Sequence, residues 1–143
     1  MIVYFDTSAA VKLFVEEAES DLARRTEQEA RLVITSLVTY AEACAAFARK
    51  ARESDNFSLF GEFKAALDQR WRYWEALPAD EATIRRAAEL AYIHRLRGYD
   101  SVQLAAAESA RAIVAGTVPF EFAVFDRELK RGAREAGFRL TGE

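Results

Sequence analysis

Two short apolar runs decide what this chain can fold into. They are "IVYF" at residues 2–5 and "FAVF" at residues 122–125, and neither alternates with polar residues. A strand with one wet face alternates apolar and polar side chains. A run without alternation is covered on both faces. Strands of that kind belong to parallel sheets, whose crossover helices supply the cover. The remaining pattern agrees. Helices are expected over 7–16, 18–30, 57–74 and 80–96, from Ser36 to about Arg52, from about Asp100 to Val114, and from Arg127 onward. Further short strands are expected at "LVIT" (32–35), near "EALP" (75–78) and at "FRL" (138–140). Strands alternating with helices give an α/β fold, expected to be a single domain over residues 1–143.

Both apolar runs lead to an aspartate, Asp6 and Asp126. In open parallel sheets, sites lie beyond the carboxyl ends of strands where the strand order reverses. If the two runs are neighbours, both carboxylates sit at the same edge. Asp100 stands at the start of another helical stretch, "RGYDSVQLAAA". Aspartate is a favoured helix cap, and capping alone would explain any one of these three. It does not explain Glu42, which lies well inside a helical stretch. Its neighbours three and four residues away are Val38, Thr39, Ala45 and Ala46, so no basic residue compensates it locally. Such an acid reaches solvent or faces a cation.

Composition narrows the chemistry. One histidine, His94, excludes a zinc site built from several histidines and any two-histidine mechanism. One cysteine, Cys44, excludes an internal disulfide. The chain shows no membrane-length apolar run and no signal-peptide pattern, and a cytoplasmic location is expected. Four carboxylates brought together repel one another unless cations neutralise them. Hard oxygen ligands suit Mg²⁺ or Mn²⁺, and phosphodiester hydrolysis is a natural reaction for such ions.

Four segments in order, "YFDTSAAVKLF", "TSLVTYAEA", "LRGYDSVQLAAA" and "FAVFDRELKRGAREAGFRL", resemble the PIN domain, and more narrowly the VapC-type toxins of toxin–antitoxin pairs. The resemblance spans essentially the whole chain. It implies a three-layer fold with a central parallel sheet of about five strands flanked by helices. It also implies a Mg²⁺- or Mn²⁺-dependent endoribonuclease acting on structured RNA such as transfer or ribosomal RNA. Asp6, Glu42, Asp100 and Asp126 match its acidic cluster, and Thr7 matches the hydroxyl beside the first acid. A small cognate antitoxin, a homodimer, and contact with DNA only through the antitoxin are implied as well. Many members carry Thr or Ser two residues before the fourth acid. Val124 stands there in this chain, so Asp126 is expected to rank below the other three acids, as a water-mediated ligand.

Basic residues stand near these acids in the sequence. Arg127, Lys130, Arg131 and Arg134 share one helix face, suited either to RNA phosphates or to solvent. Arg49 lies two turns from Glu42 on the same helix face. The stripe that includes Phe60, Phe63, Leu67, Trp71 and Trp74 is expected to pack rather than to stack bases. His94 is expected at a helix C-terminus, and Cys44 as a small core side chain. Two other functions are compatible with these residues: a phosphoacceptor or phosphatase with Asp6 as nucleophile, and a non-catalytic binding module.

Overall fold

The computed structural model describes residues 1–116 and 118–143. Among them, four strands form one parallel sheet: β1 (Ile2–Phe5), β2 (Leu32–Ser36), β3 (Glu75–Leu77) and β4 (Phe120–Ala123). Their order is β3-β2-β1-β4. Val3 lies beside both Val33 and Glu121. The helices are α1 (Thr7–Lys12), α2 (Ser20–Glu29), α3 (Leu37–Glu53), α4 (Ser58–Trp71), α5 (Glu81–His94), α6 (Gly98–Ile113) and α7 (Arg127–Glu135). None of them is long and apolar enough to cross a membrane.

The unalternating apolar run explains the layers. Successive side chains in a strand point to opposite faces. Ile2 and Tyr4 of β1 join one core with α5, α6 and α7, which includes Leu90, Leu104 and Leu129. Val3 and Phe5 join the other core, with Ala9 and Ala10 of α1, Phe47 of α3 and Leu67 of α4. All four residues of β1 are buried, as a central strand between two helical layers requires. The aromatic stripe packs as expected: Trp74 contacts both Phe5 and Trp71, and Trp71 meets Tyr40 edge to face. Cys44 is half-buried against this second core, and His94 is the last residue of α5.

Several boundaries differ from the sequence expectation, and four of the differences have a local reason. The first helix stops at Lys12, because the Leu13 and Phe14 N–H groups turn back to the carbonyls of Ala10 and Val11, three residues away. Asp100 does not open its helix. α6 begins at Gly98 with Arg97 as its cap residue, so Asp100 lies in the first turn, free of capping. β4 ends at Ala123 rather than Phe125, because the Phe125 N–H is taken by the Ser8 hydroxyl. The fifth strand at "FRL" shrinks to a single parallel bridge between Phe122 and Leu140. Just before it, α7 closes with Gly137 in the left-handed region (φ 80°), where its N–H meets the Arg134 carbonyl and the Phe138 N–H meets that of Ala133.

Candidate active site

β1 and β4 are parallel neighbours, so Asp6 and Asp126 leave the same end of the sheet. The chain builds outward from β1 through β2 to β3, then returns to the other side of β1 for β4. The order reverses between β1 and β4, where a crevice opens. Asp6, Glu42, Asp100 and Asp126 all line one cavity of about 510 Å³ at this point, together with Thr7, Lys12, Arg49 and Gln103. Each acid arrives on a different element: the β1–α1 junction, α3, α6 and the start of α7. A smaller cleft of about 310 Å³ continues past Glu42, Asp100 and Asp126 to Arg97 and Tyr99.

Asp6 forms the floor. It caps α1, its Oδ1 accepting the Ala9 N–H at 2.9 Å, and accepts the Ser8 hydroxyl at 2.7 Å. It is 3 % exposed. Burial pushes its carboxyl up to about 7, against the opposing pull of the Ser8 hydroxyl and the Ala9 and Ser8 N–H groups; nearby Asp126 adds a smaller upward push. Asp100 is half-buried and also raised, first by burial and next by Asp126, with Arg97 working the other way. Asp126 is exposed at the rim and caps α7 through the Leu129 N–H at 3.0 Å. Capping and site membership therefore coincide at Asp6 and Asp126.

Glu42 is held differently. Its Oε1 accepts the Thr7 hydroxyl at 2.6 Å and the Gln103 side-chain N–H at 2.8 Å. The absence of a local cation in the sequence is resolved by neutral donors from two other helices. Val124 is buried in the core shared with α6 and α7. The hydroxyl that reaches this segment comes from Ser8, which bonds both Asp6 and the Phe125 N–H.

The basic residues separate. Arg49 is exposed, lines the acidic cavity and has no hydrogen-bond or ion-pair partner among the described residues. Arg127, Lys130, Arg131 and Arg134 line neither the cavity nor the smaller cleft. Three of the four are engaged internally. Arg131 pairs with Glu128 and Glu135 and donates to the His94 carbonyl at 2.8 Å. Lys130 and Arg134 pair with Glu143. Arg127 alone of the set has no such partner among the described residues.

Three charged or amide side chains of the cavity, Lys12, Glu17 and Gln103, escaped the sequence reading. Lys12 lies six residues beyond Asp6, donates to the Ala18 carbonyl at 2.8 Å, pairs with Glu17 at 3.9 Å and sits over the Phe125 ring. Gln103 is the polar interruption in the apolar stretch "SVQLAAA", and that interruption was its signal.

The donor set is carboxylate oxygen throughout, which suits Mg²⁺ or Mn²⁺. No group of three or more such side chains among the described residues is drawn tightly enough to chelate an ion outright. The arrangement is an open cup, consistent with an ion held by one or two carboxylates with water completing its shell. Burial and mutual repulsion raise Asp6 and Asp100, and a cation would relieve both.

The PIN domain family model matches residues 3–134. Ribonuclease VapC45 of Mycobacterium tuberculosis (strain CDC 1551 / Oshkosh) is 36% identical over 144 residues, covering 98% of this chain and 94% of the relative. Ribonuclease VapC49 of Mycobacterium tuberculosis (strain ATCC 25618 / H37Rv) matches with the same identity and coverage. Among solved structures, Mycobacterium tuberculosis VapC20, described as a sarcin–ricin loop cleaving toxin, superposes with a TM-score of 0.70 at 16% identity, covering 95% of each chain. A toxin–antitoxin complex from Klebsiella pneumoniae gives 0.62 at 18% identity, covering 87% of this chain and 86% of that one. These two likenesses concern the fold.

Proposed function

This chain belongs to the PIN domain family and, within it, to the VapC-type toxins, and on that premise we propose that it is a Mg²⁺- or Mn²⁺-dependent endoribonuclease. The observation that carries the reading is the convergence of Asp6, Glu42, Asp100 and Asp126 from four elements on one cavity at the sheet's switch point.

One or two of Asp6, Glu42 and Asp100 would hold the ion directly, and the remaining acids, with Asp126 at the rim, would act through its water shell. When bound, such an ion activates water and neutralises charge on the phosphate oxygens of an in-line displacement. The chain's own residues do the rest. Ser8 and the Ala9 N–H fix the Asp6 carboxylate. Thr7 fixes Glu42. Arg49 places positive charge on the cavity wall, where RNA phosphates would enter beside the acids, whereas the Lys12 charge is paired with Glu17 of the same wall. Arg127 is a further phosphate contact outside the cavity.

The relatives' names and the toxin–antitoxin neighbour support a small cognate antitoxin as partner and a structured RNA of the translation machinery as substrate. A cytoplasmic location follows from such a substrate. A homodimer, and DNA contact only through the antitoxin, belong to the same proposal. Family membership favours this reading over a phosphoacceptor role for Asp6.

The deciding experiment is RNA cleavage by the purified protein with Mn²⁺ or EDTA, alongside Asp6→Asn and Asp100→Asn. Cleavage should require the metal and vanish in both variants while their circular dichroism stays native. Metal-independent cleavage retained by the variants would overturn the mechanism.

A further inference from the structure

We propose that Gln103 is a positioning residue of this site, whose buried amide dictates which Glu42 oxygen is available to a ligand. The inference rests on the reading of Glu42 as one of the working acids. Gln103 lies in α6 one turn beyond Asp100 and is 2 % exposed. Its two ends meet different environments. On the core side, Oε1 accepts the hydroxyl of fully buried Tyr4 at 2.6 Å. On the cavity side, Nε2 faces Glu42 Oε1 at 2.8 Å, Thr39 Oγ1 at 3.0 Å and Thr7 Oγ1 at 3.1 Å.

Donor and acceptor counting fixes every direction in this network. A phenol with an ordinary pKa of about 10 donates at neutral pH, so the amide oxygen faces Tyr4 and the nitrogen faces Glu42. The nitrogen has two hydrogens for three acceptors. One goes to Thr39, and the other is shared between Glu42 and Thr7. The Thr35 hydroxyl donates to the Phe5 carbonyl at 2.7 Å, so its contact with Thr39 at 2.9 Å must be donated by Thr39. Thr39 is then an acceptor toward Gln103, as the amide requires. The Thr7 hydrogen is committed to Glu42.

The consequence falls on one atom. Glu42 Oε1 receives two donors, while Oε2 has no hydrogen-bond partner among the described residues. Rotating the carboxylate would break both bonds at once. A chain of neutral groups anchored on the β1 and β2 strands thus presents one defined oxygen of Glu42 for binding. Partners of this kind, standing behind a ligand rather than touching the ion, commonly govern affinity.

The test is Mn²⁺ titration by calorimetry on the full-length protein without RNA. Gln103→Met removes the donor at similar volume and should weaken Mn²⁺ binding by about ten- to hundredfold. Gln103→Asn keeps an amide but is one methylene too short to span Tyr4 and Glu42. It should weaken binding in the same direction, and it serves if the methionine variant does not fold. Leu90→Ala separates positioning from support: it opens a cavity in the core that packs against α6 yet leaves every hydrogen bond of the Tyr4–Gln103–Glu42 chain in place. It should lower the thermal midpoint while leaving Mn²⁺ affinity unchanged. Affinity that falls with stability alike in Leu90→Ala and the Gln103 variants would overturn the inference. So would a folded Gln103 variant with wild-type affinity. A wild-type protein that binds no Mn²⁺ would instead sink the metal reading, and this inference with it.

Discussion

The hydroxyl of Ser8 accepts the backbone N–H of Phe125 at 2.8 Å, joining positions 117 residues apart. The same hydroxyl donates to Asp6 at 2.7 Å. One side chain therefore ties the segment that carries Asp126 to the carboxylate at the floor of the cavity. Ser8→Ala should cost about 1–2 kcal/mol, since a part-buried N–H loses its partner and Asp6 loses a donor. Urea denaturation measures the loss, and an unchanged midpoint would refute the tie.

The raised Asp6 carboxyl makes a pH-dependent prediction for metal-free protein. Its folded pKa of about 7 lies above the ordinary value of 3.8, so the folded state binds the proton more readily. Stability from this group is fully present below pH 3.8 and is lost as pH rises through 7. Asp6→Asn retains an acceptor for Ser8 and Ala9 but carries no charge to bury. In EDTA it should be more stable than the wild type at pH 8, by on the order of 1–3 kcal/mol, and the gap should close toward pH 4. Chemical denaturation at the two pH values decides it; a gap that widens toward acid would contradict the burial argument.

Metal should reverse that penalty. At one hundred times its Kd, a ligand confined to the folded state adds about 2.7 kcal/mol, a rise in melting midpoint of roughly 5–10 °C for a chain of this size. Mn²⁺ should produce that rise in the wild type, EDTA should abolish it, and Asp100→Asn should show little of it. Differential scanning calorimetry provides the comparison.

The arginines should divide by their partners. Arg49 and Arg127 have none among the described residues, whereas Arg131 bridges α7 to the end of α5. Arg49→Ala and Arg127→Ala should weaken RNA binding and lower its log–log salt slope by about one each, with stability unchanged. Arg131→Ala should instead cost about 0.5–1.5 kcal/mol of stability and leave the salt slope alone. Filter binding across a salt series, paired with thermal melts, separates the two classes.

How much of this could be read from the residues varies with range. "IVYF" dictated a central buried strand because burial on both faces leaves a local signature. Glu42 attracted notice because an uncompensated acid among alanines is a local anomaly. The partners that resolve it, Thr7 and Gln103, lie 35 and 61 positions away, and no local periodicity encodes such contacts. Gln103 shows in the sequence as a polar interruption of an alanine-rich helix, but one amide there does not say which distant groups it reaches. The basic face of α7 was visible as a spacing. That Glu128, Glu135 and Glu143 would occupy most of it depends on side-chain geometry. The strand ends moved for a similar reason: the Phe125 N–H goes to a serine side chain rather than to the ladder.

The bridge between Phe122 and Leu140 has a bearing on how the molecule behaves in a crowded solution. β4 is an outer strand, and an uncovered outer strand offers its backbone to any passing chain. Here the Phe122 N–H meets the Arg139 carbonyl at 2.8 Å, and the Thr141 N–H meets the Phe122 carbonyl at 3.1 Å. The few residues after α7 act as a guard rail along that border, and the opposite border, β3, is only three residues long. A protein trimmed after Gly137 would keep its acidic cavity residues yet lose the buried Phe138 and Leu140 and expose a sticky seam, and would be lost to aggregation rather than to failed chemistry.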